Sequence, residues 1–253
     1  AIMYDTGKVL VMASNGELWK MDISGATPTY AKVGIAVADR NYSNMTVLAN
    51  GDVLINGGTT SDNHEATGVT KAMIFDPDTG TLSSAGAEAH ARVYHGTSIL
   101  LPDGSVLSLG SGSAGMAETN YLDGQIYKPP YLFDENGKPA ARPDIIAAPD
   151  TIVAGQTFTI TVDNANTIKD LTFIKSGATT HTFNMDARAV DLTFKVINGA
   201  TIEVTVPDDV NDVTAGSWML FAWNDKGVPS VAEMVAVKPT LTHYEADGTG
   251  GDP

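Results

Sequence analysis

Two segments of the chain repeat one pattern, and this repeat constrains the fold more than any other feature. They are RNYSNMTVLANGDVLINGG (40–58) and RVYHGTSILLPDGSVLSLGSG (92–112). Each runs Arg-x-Tyr, an apolar stretch, an Asn-Gly or Asp-Gly pair, a second apolar stretch and then glycine. Because Asn-Gly and Asp-Gly between apolar stretches are typical of tight hairpin turns, each copy predicts two antiparallel strands.

The repeat length points to the blades of a β-propeller. The two copies begin at Arg40 and Arg92, 52 positions apart (92 − 40), and four-stranded blades repeat at roughly 40 to 50 residues. A weaker third copy, GKVLVMAS, occupies 7–14, and KAMIFDPDTGTLSSAG (71–86) fits the two outer strands of the middle blade. We therefore predict two to three blades, fewer than the roughly four to eight of a closed propeller.

The pattern changes after a connector that contains proline and glycine, DENGKPAARP (134–143). Segments with β character follow at the spacing of a β-sandwich: QTFTITV, DLTFIKSG, ATIEVTV, SWMLFAW and SVAEMVAV. Helical periodicity is nearly absent, so we predict an all-β chain with partial propeller blades followed by an immunoglobulin-like β-sandwich. The expected domains are 1–135 and 136–240, with an acidic, glycine-rich tail or linker at 241–253.

Composition argues against several classes of partner. The formal net charge is -15, which is unsuited to nucleic acid and to anionic membrane surfaces because both bind basic protein faces. No apolar run approaches the roughly 18 residues of a membrane-spanning helix, so we expect no membrane insertion. The chain has no cysteine, which excludes disulfides, thiolate metal ligands and a cysteine nucleophile within it.

The adjacent residues Tyr94 and His95 are the first candidates for a metal site. A regular strand would point them to opposite faces, but they precede the apolar run, where the backbone need not be pleated. Tyr42 and Ser43 occupy these positions in the other copy. The tyrosine can therefore be architectural, whereas a histidine present in one copy indicates function. No histidine pair has a local metal-ligand spacing, so spacing alone leaves structural histidines and a buried structural tyrosine open.

The quoted segments resemble the copper radical oxidases, the family of the galactose and glyoxal oxidases. The likeness runs in order through RVYHGTSILLPDGSVLSLGSG, NYLDGQIYKPPYLF, ARPDI, SGATTHTFNMDAR and WMLFAWNDKGVPSVAEMVAV. It implies a seven-bladed Kelch-type propeller followed by an immunoglobulin-like domain, of which this chain has the last blades and that domain. The remaining blades would come from the same parent chain or from another chain.

The resemblance also implies a metal site, residue by residue. Tyr94 matches the family's axial tyrosine, His95 the adjacent copper histidine, and His181 a second copper histidine on a hairpin that reaches toward the propeller axis. Imidazole suits copper, and tyrosinate is an oxygen donor that can accept a substrate proton. Ligand atoms of one copper ion would lie about 3 to 4 Å from one another.

The family's radical cofactor, a tyrosine joined to a cysteine by a thioether, cannot be built in a chain without cysteine. We expect it on an N-terminal part of the propeller. The implied function is a secreted or cell-surface oxidase that oxidises a primary alcohol or aldehyde with O2 and gives H2O2. The alternative is a non-catalytic surface, adhesive or carbohydrate-binding module on the same scaffold. Retention of Tyr94, His95 and His181 favours the oxidase, and the incomplete propeller favours the module.

The first prediction concerns the isolated chain. Loaded with copper, the 253-residue chain should produce no hydrogen peroxide from alcohols or aldehydes, because methionine is its only source of sulfur and a thioether cofactor cannot form. A coupled peroxidase assay measures this directly. Sustained peroxide formation by the purified chain would show that a radical site is built from other residues.

Overall fold

In a computed structural model of the protein, residues 1–36, 39–112 and 119–239 are described. Their regular structure is strands and three short 3-10 turns, at Glu65–Thr67, Pro130–Leu132 and Ala165–Thr167. The all-β class predicted from the sequence is therefore confirmed. Within these ranges no helix is long and apolar enough to cross a membrane, and the predicted tail at 241–253 lies outside them.

Three antiparallel sheets follow one another in the first half of the chain. The first contains β1 (Ile2–Asp5), β2 (Lys8–Met12), β3 (Glu17–Asp22) and β4 (Thr29–Ile35), and the second contains β5 (Asn41–Val47), β6 (Val53–Thr59), β7 (Lys71–Asp76) and β8 (Thr81–Ala87). The third contains β9 (Gly96–Leu100), β10 (Val106–Gly110) and β11 (Gly124–Tyr127). Strands adjacent in sequence pair with each other in each sheet, as they do in propeller blades.

The second half of the chain forms a β-sandwich. In chain order its strands are β12 (Ile145–Ala147), β13 (Thr151–Ile152), β14 (Thr157–Val162), β15 (Ile168–Lys175), β16 (Thr179–Thr180), β17 (Phe183–Asn184), β18 (Ala189–Asp191), β19 (Thr193–Val196), β20 (Thr201–Thr205), β21 (Gly216–Asn224) and β22 (Glu233–Val237). One layer has the order β12-β14-β20-β19 and the other β13-β22-β21-β15-β18. The β16–β17 hairpin belongs to neither layer and stands apart as a two-stranded sheet.

Strand β21 is buried on both faces. Trp218 is fully buried in the core between the sandwich layers, where its ring stacks on Phe173 at 4.7 Å between centroids. Trp223 belongs to the other core, which it shares with the blade sheets, and its ring meets that of Tyr131 edge-on at 5.3 Å. The two tryptophans face different cores because residues five positions apart in a strand point to opposite faces.

Hydrogen bonds join the sandwich to the second and third sheets alongside this shared core. Thr172 on β15 donates its hydroxyl to the carbonyl of Ala49 at 2.7 Å in a buried position. Arg142 donates to the carbonyl of Pro229 and, across the junction, to that of Asp103, both at 2.8 Å. Since these partners are backbone groups at the blade and sandwich turns, the two halves are held in one fixed orientation.

Buried arginines organise the two repeat copies. Arg40 donates Nε to the carbonyl of Gly57 at 2.9 Å, and Arg92 donates Nη1 to that of Gly110 at 2.7 Å. Each arginine therefore bonds a carbonyl of its own sheet. Between these two sheets a backbone bond runs from Gly58 N to the carbonyl of Arg92 at 2.8 Å, and a side-chain bond runs from the hydroxyl of Thr46 to that of Ser98 at 2.9 Å.

The second prediction tests this blade contact. Gly57→Ala should destabilise the protein by more than about 2 kcal/mol, because residue 57 has φ +65° and a Cβ there would lie 2.6 Å from the Arg92 carbonyl oxygen. A non-glycine residue in this backbone region already costs about 1 to 2 kcal/mol. Gly51→Ala is the matched control, with φ +84° and no atom within 4 Å of its added Cβ. Urea unfolding compares them, and equal losses would contradict the prediction.

Candidate metal centre

Tyr94 and His95 occupy a tight turn just before β9. The amide of Gly96 bonds the carbonyl of Val93 at 2.7 Å, so Tyr94 and His95 are the two central residues of the turn. The pleat that sends neighbouring strand residues to opposite faces does not apply at this point. Tyr94 and His95 can therefore face one site although they are adjacent in the sequence.

The turn is anchored to the third sheet by the residues before it. Val93 is fully buried, and its amide bonds the hydroxyl of Ser111 at 3.0 Å. Arg92, also fully buried, reaches Asp123 with Nη2 at 3.0 Å in addition to its bond to the Gly110 carbonyl. The amide of Tyr94 bonds Oδ1 of the buried Asn63 at 3.2 Å. Only the two candidate side chains of the turn, Tyr94 partly and His95 openly, reach solvent.

His181 sits at the tip of the β16–β17 hairpin. It and Thr182 are the two loop residues, and both have positive φ, 50° and 66°, as in a type I′ turn. Such turns favour asparagine and glycine. A β-branched threonine in this backbone region is unusual. Each residue costs about 1 to 2 kcal/mol, so the tip is a strained structure that the surrounding contacts must maintain.

The structure brings the three sequence-predicted side chains together. The ring centroids are 4.3 Å apart for Tyr94 and His95, 5.1 Å for His95 and His181, and 5.4 Å for Tyr94 and His181. The hairpin is docked on the blade by a hydroxyl contact between Thr97 of β9 and Thr179 of β16. Residues 86 positions apart (181 − 95) thus meet because a sandwich hairpin lies against a propeller turn. Their assignment as copper ligands stays a prediction.

Hydrogen bonds orient both imidazole rings. Nδ1 of His95 lies 3.1 Å from the carbonyl oxygen of Gly112, so this nitrogen carries the proton and Nε2 keeps its lone pair for a metal. Nδ1 of His181 lies 2.6 Å from the hydroxyl of Thr180. Contacts of this kind, in which a ligand histidine uses its other nitrogen for a protein group, are usual around protein metal sites.

The donor set suits copper. Within the ranges that the structure describes, no group of three or more histidine, aspartate or glutamate side chains could hold a metal ion. A metal here would therefore take its third protein donor from the phenolic oxygen of Tyr94. Two imidazoles with one tyrosinate are ligands that Cu(II) accepts, so the residues present fit that ion.

Tyr42 is a neighbour of this site that the sequence argument did not place there. Its ring lies 5.5 Å from that of Tyr94, edge to face, and it is 38% exposed. The repeat suggested a buried tyrosine with a satisfied hydroxyl, whereas the structure shows a half-exposed one with a positive φ of 55°. The sequence feature that could have placed Tyr42 beside Tyr94 is the recurring Arg-x-Tyr, because equivalent positions of adjacent blades lie close together near the propeller axis.

Comparison with known proteins shows which family the chain resembles. Residues 142–237 match the family described as galactose oxidase-like, early set domain. A galactose oxidase of Gibberella zeae is 33% identical over 94% of this chain and 37% of its own length. An aldehyde oxidase of Arabidopsis thaliana is 28% identical over 86% of this chain and 39% of its own length.

A solved structure shares the whole fold. It is a fungal alcohol oxidase in complex with copper, with a TM-score of 0.86 and 30% identity over 94% of this chain and 53% of that one. The resemblance found in the sequence is confirmed, and the chain corresponds to a C-terminal part of a copper radical oxidase. It spans little more than a third of the galactose oxidases, 37%, and about half of the alcohol oxidase chain, 53%.

The third prediction concerns His181. Replacing it with Ala should weaken copper binding by orders of magnitude, because one of two imidazole donors is lost. The metal-free protein should lose less than about 1 kcal/mol, because the side chain is exposed and leaves no apolar cavity. His181→Asn is the matched variant, since asparagine tolerates positive φ and preserves the turn.

Titration calorimetry with Cu(II) and thermal melts of metal-free protein separate the two readings of His181. A structural histidine would behave in the opposite way to a ligand. Its replacement would lower the melting temperature and leave the copper affinity unchanged.

Proposed function

We propose that this chain is the metal-holding part of a copper radical oxidase, which oxidises a primary alcohol or aldehyde with O2 and gives H2O2. The observation that carries the proposal is the convergence of Tyr94, His95 and His181 within 5.4 Å between ring centroids. The similarity to galactose oxidase, aldehyde oxidase and a copper-containing alcohol oxidase supports it. The particular substrate is left open as a small alcohol, an aldehyde or a carbohydrate.

The roles of the three residues follow from their chemistry. When bound, copper supplies a Lewis acid and a one-electron redox partner. His95 and His181 would hold it through nitrogen, and the hydrogen bonds at their Nδ1 atoms keep the rings in place. Tyr94 gives a phenolate oxygen that takes the hydroxyl proton of an alcohol. Two electrons and two protons leave the alcohol in all, and O2 takes up both pairs as H2O2.

The second one-electron site is proposed to lie outside this chain. A thioether-linked tyrosine needs cysteine, and the chain has none. We assign it to the rest of the propeller, whether on the same parent chain or on another. The resemblance also carries the proposal that the protein is secreted or lies at the cell surface, and fractionation of producing cells tests that placement.

One sheet face supports the proposal of further blades. Leu18 of β3 is fully buried toward the second sheet, and its neighbour Trp19 points to the opposite face. There the Trp19 ring meets that of Tyr30 at 6.1 Å, and Tyr30 is 69% exposed. A neighbouring blade would bury large aromatic side chains of this kind, which are partly exposed on one face of a blade.

The fourth prediction tests the function in the longer protein that supplies the remaining blades. Wild type should bind copper and form peroxide with primary alcohols or aldehydes. Tyr94→Phe should keep copper through the two histidines but lose turnover by roughly 10²- to 10⁴-fold, the range for loss of a proton acceptor. Tyr127→Phe, in β11, serves as the control and should retain activity.

Metal analysis and a peroxide assay over a panel of alcohols and aldehydes give the readout. Full activity in the Tyr94→Phe variant would remove the tyrosine from the mechanism. If metal analysis finds no copper in the longer protein and it forms no peroxide from any alcohol or aldehyde of the panel, the oxidase function is contradicted. The non-catalytic binding module is then favoured.

A further inference from the structure

The hairpin that carries His181 is too small to hold its own shape. Strands β16 and β17 have two residues each and pair only with one another. Two-stranded hairpins are at best marginally stable in water, and here the two tip residues also have positive φ. Groups outside the hairpin ladder must therefore fix the direction in which it points.

An ion pair between a buried lysine and a half-exposed aspartate closes the base of the hairpin. Lys175 ends β15 six positions before His181 (181 − 175), and Asp186 follows β17 five positions after it (186 − 181). Nζ of Lys175 lies 2.7 Å from Oδ1 of Asp186, and the lysine side chain is only 6% exposed. The pair thus joins the two ends of the segment whose tip bears the imidazole.

The lysine is also tied to the body of the sandwich. Its Nζ donates to the hydroxyl of Thr214 at 2.7 Å, and the backbone carbonyl of Thr214 accepts from Nε1 of the fully buried Trp218 at 2.9 Å. At residue 216 an added Cβ would lie 3.1 Å from Cε of Lys175, and glycine stands there. The ammonium group therefore has a built pocket and links the hairpin to the core.

Resting on the function proposed above, we propose that Lys175, through Asp186, is a positioning residue for the metal site. Higher up, the hairpin is held by a bond from the Ala178 amide to Asn184 Oδ1 at 3.1 Å and by the hydroxyl contact between Thr97 and Thr179. Those contacts fix its middle. At the base, the backbone amides of Lys175 and Ser176 bond the carbonyls of Arg188 and Ser217, both at 2.9 Å, and the ion pair adds the side-chain contact that sets the angle at which the hairpin leaves β15. A small change at the base becomes a larger displacement at the tip.

Lys175→Met is the informative change. Methionine fills similar space without charge, and Asp186, whose side chain is 44% exposed, can be solvated when its partner is removed. The Cu(II) affinity of the chain should fall on the order of 10- to 100-fold, the usual effect of removing a group that orients a metal ligand. Lys175→Arg should restore most of the affinity, and Lys195→Met, at an exposed position of β19, should leave it unchanged.

The experiment is a double-mutant cycle on the 253-residue chain, read by Cu(II) titration and by the nitrogen hyperfine pattern of the copper EPR spectrum. If Lys175 acts through His181, then Lys175→Met should lower the affinity of wild type but have little further effect in His181→Ala. Equal losses in both backgrounds, or an unchanged affinity and spectrum in Lys175→Met alone, would overturn the proposal.

The experiment also distinguishes failure of the wild-type chain to bind copper from failure of Lys175→Met to fold. Failure of wild type to bind Cu(II) at the histidines would contradict the proposed function itself, before any variant is compared. If Lys175→Met does not fold, Asp186→Ala replaces it, because the contact with Lys175 is lost at a half-exposed position where no apolar cavity is created. An Asp186→Ala chain that folds and binds copper as wild type does, with the same spectrum, would also overturn the proposal.

Discussion

The candidate site depends on one sheet that is buried on both of its faces. In β21, Trp218 and Leu220 pack between the sandwich layers, while Phe221 and Trp223 pack toward the propeller sheets. Burial of large apolar side chains on both sides stabilises the sandwich and its attachment at once. Because β15 pairs with β21 along its length, the hairpin that leaves the end of β15 starts from a fixed point.

The candidate site combines a well-anchored turn at Tyr94 with strained backbone at two neighbouring residues. The turn at Tyr94 is tied down by Arg92 and Val93, both without solvent exposure. His181 and Tyr42, by contrast, hold backbone angles that are unfavourable for their residue types. Strain of this kind persists where surrounding contacts over-determine the structure, and it is concentrated at functional sites. Here it occurs at two positions whose rings lie beside that of Tyr94, Tyr42 and His181.

Local sequence patterns predicted several strands of the blades. The Asn-Gly and Asp-Gly turns and the apolar runs around them predicted β5, β6, β9 and β10, because turn chemistry and alternation act over a few residues. Strands of two to four residues, such as β13 and β18, are too short to show alternation. The side taken by Trp223 and the contacts of Lys175 could not be predicted in this way, because both depend on residues distant in sequence.

The sequence by itself determined the all-β class and the hairpin turns of the two repeat copies, and it named the candidate donor side chains. It also determined the absence of a thiolate, because a chain without cysteine cannot supply one wherever it folds. Only the tertiary structure decided that Tyr94 and His95 share a turn and that His181 meets them from the sandwich. That meeting requires a packed interface between distant segments, and local preference carries no information about where such an interface closes.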